Sequence, residues 1–120
     1  DLMHTGKDIP KVSPNTKLNM ALLEITEKNL GITLVVKNYK VIGIFTDGDL
    51  RRCLNQKIDI NNSEIAKVMT KTYKTIDAND LAVDAAKFME KYKIFTLVVQ
   101  EKNKTVGIIT MHDLIESRIL

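Results

Sequence analysis

Gly43-Ile44-Phe45-Thr46-Asp47-Gly48-Asp49-Leu50 and Gly107-Ile108-Ile109-Thr110-Met111-His112-Asp113-Leu114 are the two stretches from which the fold can be read. They agree at five of eight positions (Gly, Ile, Thr, Asp and Leu) and lie 64 residues apart. A second block, Thr33-Leu34-Val35-Val36, recurs letter for letter as Thr96-Leu97-Val98-Val99, 63 residues on. One residue inserted in the intervening turn reconciles the two offsets. Each half opens on a similar cue, Leu2-Met3-His4 and Val68-Met69-Thr70. Three matches in one order make the chain a duplication, and a repeat sets the frame for everything else.

Outward from these blocks, the halves read alike. Leu18, Ala21, Leu22 and Ile25 recur at helical spacing after Thr16, a candidate cap, and Gly31 marks the stop. Ile32 to Val36 and Val41 to Thr46 are apolar strands joined by the polar turn 37–40, and a helix starts at Gly48. In the second half, Leu81, Ala82, Ala85, Phe88 and Met89 form the helical stripe. Strands follow over Phe95 to Val99 and Thr105 to Thr110, and a closing helix over Met111 to Leu120. Asn62-Ser63 caps a short linking helix through Val68, and Lys11 to Ser13 and Lys74 to Ile76 are extended lead-ins. Each half is thus α-β-β-α and too small to bury its own apolar faces. The expected fold class is α+β, with repeats at 1–60 and 61–120 packed sheet to sheet about a pseudo-twofold axis, leaving two related clefts.

Bulk properties narrow the function classes. The 120 residues are 44% hydrophobic and 28% charged, ordinary for a globular chain. No apolar run approaches the roughly 20 residues of a membrane span, and no secretory signal pattern is present. The lone Cys53 cannot form an internal disulfide, which fits a reducing, cytoplasmic setting. The first residue is Asp1, not Met, which points to a piece of a longer chain. A net charge of +3 spread over scattered lysines is mild, so neither nucleic acid nor a membrane is expected as a partner.

Catalytic signatures are missing: no Gly-rich dinucleotide or phosphate loop, no His-Glu-x-x-His and no Gly-x-Ser-x-Gly. His4 and His112 have no metal-ligand spacing to Cys53, and each reads first as a surface or packing histidine. Asp47-Gly48-Asp49 fails as a calcium loop, because Arg51 and Ile58 stand where acids are needed. What repeats is Thr-x-x-Asp at a strand-to-helix junction, Thr46 with Asp49 and Thr110 with Asp113. A carboxylate at a helix start can accept from two vicinal hydroxyls of a ribose, with the threonine hydroxyl close by. The same spacing also describes a helix capping box, and the two readings are compatible. The halves differ in that Asp49 is followed by Arg51 and Arg52, whereas Asp113 is followed by Ile115 and Glu116. An arginine pair at a helix start suits an anionic ligand, though solvated surface arginines would look the same. Most of the methionines read as core filler or seam residues, and Phe45, Phe88 and Phe95 as core.

The duplicated Met-Thr-type lead-in, the Thr-Leu-Val-Val strand and the Gly-Ile-x-Thr-x-x-Asp-Leu element resemble tandem cystathionine-β-synthase-type (CBS) domains over essentially the whole chain. Asp1-Leu2-Met3-His4-Thr5-Gly6, Lys28-Asn29-Leu30-Gly31, the run from Gly43 to Arg52 and Met111-His112-Asp113-Leu114 are similar to the C-terminal half of bacterial D-arabinose 5-phosphate isomerases. The resemblance implies a non-catalytic regulatory part, needing no cofactor, beside an N-terminal sugar-isomerase (SIS) domain that carries the chemistry. It implies a homodimer or higher homo-oligomer and a place in the supply of Kdo for lipopolysaccharide. It further implies a nucleotide effector, adenosine- or cytidine-based, with CMP-Kdo the pathway's own nucleotide sugar. By analogy Thr46, Asp49, Thr110 and Asp113 contact ribose. Gly31, Ile32 and Thr33, with Ile94, Phe95 and Thr96, line the base pockets. Arg51 and Arg52 are the expected neighbours of an anionic group, and His112 is a further candidate ligand-binding residue. The competing expectation is an assembly role with vestigial clefts.

Overall fold

In the computed structural model, which describes residues 2–80 and 82–118, two three-stranded sheets each carry two helices. The chain divides into two units, Pro10–Tyr73 and, discontinuously, Asp1–Ile9 with Lys74–Leu120. The lead-in around His4 therefore sits with the second repeat's elements, while that around Thr70 sits with the first's. This division is offset from the sequence repeats, because each Met-containing lead-in pairs with the strand of the other half.

The Pro10–Tyr73 unit holds β1 (Lys11–Val12), α1 (Leu18–Lys28), β2 (Ile32–Lys37), β3 (Lys40–Thr46) and α2 (Asp47–Asn55). In α1, Leu18, Ala21 and Ile25 share one buried face, the spacing that an amphipathic helix requires. Its cap differs from expectation. Lys17 stands at the N-cap with no side-chain bond, while the Thr16 hydroxyl meets that of Ser13 at 3.0 Å. The helix stops at Asn29, which is left-handed (φ 59°) and donates its N–H to the Ile25 carbonyl, two residues before Gly31. Strand order is β1-β2-β3, with β1 parallel to β2 and β2 antiparallel to β3. The hairpin closes through Asn38 and Tyr39, both at positive φ, the geometry whose twist suits a two-residue loop. Leu18, Ala21, Ile25, Val35, Phe45, Cys53 and Ile65 make the buried core. The expected linking helix is only a 3-10 turn, Ile65–Lys67, and Asp59 rather than Asn62-Ser63 organises the loop before it.

The discontinuous unit repeats the plan with β4 (Thr75–Asp77), α3 (Ala82–Tyr92), β5 (Thr96–Glu101), β6 (Lys104–Thr110) and α4 (Met111–Glu116). Its core is Ala85, Ala86, Met89, Leu97, Val99, Ile109 and Leu114. Leu81 of the expected stripe, and Ile119 and Leu120 of the closing helix, lie outside the described residues, as does Asp1.

The structure corrects the alignment of the repeats. Every equivalent element is displaced by 64 residues: Lys11 to Thr75, Leu18 to Ala82, Ile32 to Thr96 and Thr46 to Thr110. The strand irregularity recurs at the same place, between Val35 and Val36 and between Val99 and Gln100. No residue is inserted in the hairpin turn. The identical tetrapeptides at offset 63 are out of register by one, and a slip of one residue puts each side chain on the opposite sheet face. Thr33 thus takes the place of Leu97, and Ile32 that of Thr96. Pairing confirms it: Thr33 lies opposite Phe45 as Leu97 lies opposite Ile109. Core volume decides the register, because Val35 and Val99 must both face their helices.

Candidate functional site

At the end of β3 the chain turns directly into α2, and the first helical turn needs acceptors for its orphan N–H groups. Thr46 supplies one, its hydroxyl accepting from the Asp49 N–H at 3.3 Å. Asp49 returns the favour: its Oδ2 accepts from the Thr46 N–H at 2.9 Å and from the Thr46 hydroxyl at 3.2 Å. Its Oδ1 accepts from the Thr70 hydroxyl at 2.9 Å and from the Arg52 guanidinium. Thr70 reaches this point because its N–H and carbonyl both pair with Ile44, a single-residue bridge that ties the lead-in to β3.

The end of β6 is built the same way. The Thr110 hydroxyl accepts from the Asp113 N–H at 3.1 Å, and Asp113 Oδ2 accepts from the Thr110 N–H (2.8 Å) and hydroxyl (2.7 Å). His4 pairs with Ile108 through both backbone groups, and its Nε2 lies 2.9 and 3.0 Å from the two Asp113 oxygens. Partial burial pushes the Asp113 carboxyl up, but the Thr110 hydroxyl and amide, with His4, outweigh it and hold it below its ordinary value. Near the first corner, burial, with the charge of Asp49, raises the Cys53 thiol, so this cysteine stays a protonated core residue.

The capping reading of Thr-x-x-Asp is realised at both corners. Each motif is a full capping box, and each carboxylate lies at a strand-to-helix corner. The other sequence-chosen residues are distributed as follows. Gly31 adjoins the first corner, its carbonyl accepting from the Asp47 N–H, and its φ of +73° favours glycine. Phe95 is its counterpart, its carbonyl accepting from the Met111 N–H; contrary to its reading as core, the residue is 72% exposed. Ile32 is buried, and Ile94 and Thr96 are half-buried. Thr33 is fully buried on the helix face, where its hydroxyl donates to the Leu34 carbonyl at 3.2 Å. Arg52 leans over Gly48 toward Asp49, whereas Arg51 is exposed and has no ion pair among the described residues, so the two do not form one fork. His112 is exposed and pairs with Glu116 at 3.4 Å. The residues missed by sequence reasoning are Thr70 and His4. The matched Val68-Met69-Thr70 and Leu2-Met3-His4 strings carried the signal, but not which acid each would meet. A polar recess of about 220 Å3, lined by Thr75, Ile76, Asp77, Asp80, Gln100 and Asn103, lies beside β4 rather than at either corner. Among the described residues no helix is long and apolar enough to cross a membrane.

Comparison with known proteins agrees with this architecture. The chain is 46% identical over 121 residues to arabinose 5-phosphate isomerase KdsD of Yersinia pestis, a match covering all of this chain and 37% of that protein. An uncharacterized conserved protein from Pyrococcus horikoshii superposes with a TM-score of 0.86 at 26% identity, over 95% of this chain and 87% of that one. CBSX2 in complex with AMP superposes with a TM-score of 0.80 at 22% identity, over 99% and 93% of the two chains. The CBS-domain profile matches residues 1–56 and again 64–119, so the chain belongs to the CBS-domain family and carries the domain twice.

Proposed function

We propose that this chain is the ligand-sensing part of a D-arabinose 5-phosphate isomerase, and that it binds a nucleotide or nucleotide sugar through the Thr46/Asp49 and Thr110/Asp113 corners. The carrying observation is the pair of equivalent corners, each offering a carboxylate and a hydroxyl at a strand-to-helix turn, in a chain 46% identical to part of KdsD. A ribose diol takes up acceptor sites now used by Arg52 or His4, both of which can swing away, with side chains 65% and 31% exposed. A neighbour of the same fold is complexed with AMP, which supports the ligand class. The end product CMP-Kdo is the proposed effector. It would report pathway output to a sugar-isomerase domain on the same polypeptide by binding two states unequally. The cytoplasm is its proposed setting, and a homodimer its proposed assembly.

The internal saturation of both carboxylates favours a second reading, an assembly module with vestigial corners. Calorimetric titration with CMP-Kdo, CMP and AMP separates them. Binding of at least one ligand that is lost in Asp49→Asn or Asp113→Asn supports the sensor. No heat at millimolar ligand, and no melting shift, overturns it in favour of assembly.

A further inference from the structure

Among the described residues each corner acid has one basic side-chain partner, and the two partners differ in kind. Asp49 is paired by Arg52, three residues along α2, and a guanidinium stays charged throughout the range in which proteins fold. The same position after Asp113 is Glu116, which turns to His112 instead. The second corner's basic partner comes from the lead-in: His4 Nε2 sits within 3.0 Å of both Asp113 oxygens. Its counterpart at the first corner is Thr70, which does not titrate in this range. A histidine's charge comes and goes between about pH 5 and 8.

We propose that His4 is a proton-operated latch on the Asp113 corner: the imidazolium engages both carboxylate oxygens and excludes a ligand diol, and loss of the proton to solvent weakens that hold. The Asp49 corner, held by Arg52 and Thr70, lacks such control. The ligand consequence rests on the ribose reading of the corners; the latch itself does not. Among the described residues, Asp113 is the one charged group bonded to the His4 ring. On α4, His112 and Glu116 lie in solvent, paired with each other. Lys104 is at the opposite end of β6, and Lys7 and Asp8 of the adjoining 3-10 turn are exposed. Asp113 stays ionised through this range, its carboxyl being held below the usual value. A charge-assisted hydrogen bond is roughly twice as strong as a neutral one, which gives the latch its direction.

The experiment uses the intact chain and two variants, His4→Thr, which copies Thr70, and His4→Gln, which keeps an uncharged donor. Melting temperatures are compared at about pH 5.5 and about pH 8. The wild-type advantage over both variants is expected to be larger at the lower pH; an equal advantage at both values overturns the latch. Adenosine is the ligand probe, because it has the diol but no phosphate that titrates in this window. Wild-type affinity at the second corner is expected to rise about threefold to tenfold from low to high pH and to stay flat in His4→Thr. Binding that is equally strong at both values overturns the gating while leaving the nucleotide reading intact. No adenosine binding at either pH counts against that reading instead, and the melting comparison then decides the latch by itself.

Discussion

Gly43 and Gly107 show how a single residue holds each lead-in in place. A Cβ at Gly107 would lie 2.6 Å from Met3 Sδ and 2.9 Å from the His4 carbonyl oxygen; at Gly43 it would meet Met69 Sδ at 2.6 Å and the Thr70 carbonyl at 3.1 Å. A methionine tip can move, but a backbone oxygen held in a strand pair cannot. Gly107→Ala is expected to cost about 1–3 kcal/mol in urea unfolding, and more than Gly43→Ala. Unchanged stability of Gly107→Ala would show that the lead-in does not press on β6. Both glycines were legible as repeated letters, but the reason for them was not, because their neighbours come from the lead-in of the other repeat. Thr33 teaches the opposite lesson. Its match to Thr96 was legible and misleading, since two adjacent positions on a strand differ in face however alike their letters are.

At the scale of elements, α2 and α4 begin with the same reciprocal cap, and the sequence pattern was enough to expect it. The electrostatics of the second cap needed coordinates. Asp113 is lowered in the folded chain, so its ionised form is the one the fold favours. A depressed carboxyl contributes stability in full above its unfolded value of about 3.9, and loses it as pH falls through the folded value. Asp113→Asn keeps an acceptor for the cap, but removes this charge. The wild type is therefore expected to be more stable than Asp113→Asn at neutral pH, with the gap closing as pH drops below about 4. Denaturant midpoints at stepped pH measure it; a gap that does not change with pH would disprove the charge pairing of this corner. The C-terminal end of α1 was less legible than these two caps. Asn29 terminates α1 although Gly31 looked the better breaker, because a left-handed asparagine already satisfies the Ile25 carbonyl.

At the scale of the molecule, the units are not sequential segments. Residues 1–9 belong with 74–120, and they attach through the His4–Ile108 backbone pair and the His4–Asp113 contact. Removing residues 1–9 is expected to lower the melting temperature and to speed amide exchange along β6 more than along β3, whose own lead-in partner, Thr70, is retained. Equal exchange on both strands would mean that the N-terminal segment holds nothing in place. The sequence by itself determined the duplication, the strand-turn-strand pattern, the capping motifs and the family, because all of these are carried by local periodicity and by strings of adjacent residues. Only the tertiary structure decided the repeat register and the partners of the two acids. Register is settled by which strand face can fill the core under its helix. The His4–Asp113 contact joins groups 109 residues apart, a distance across which no local pattern in the chain carries information.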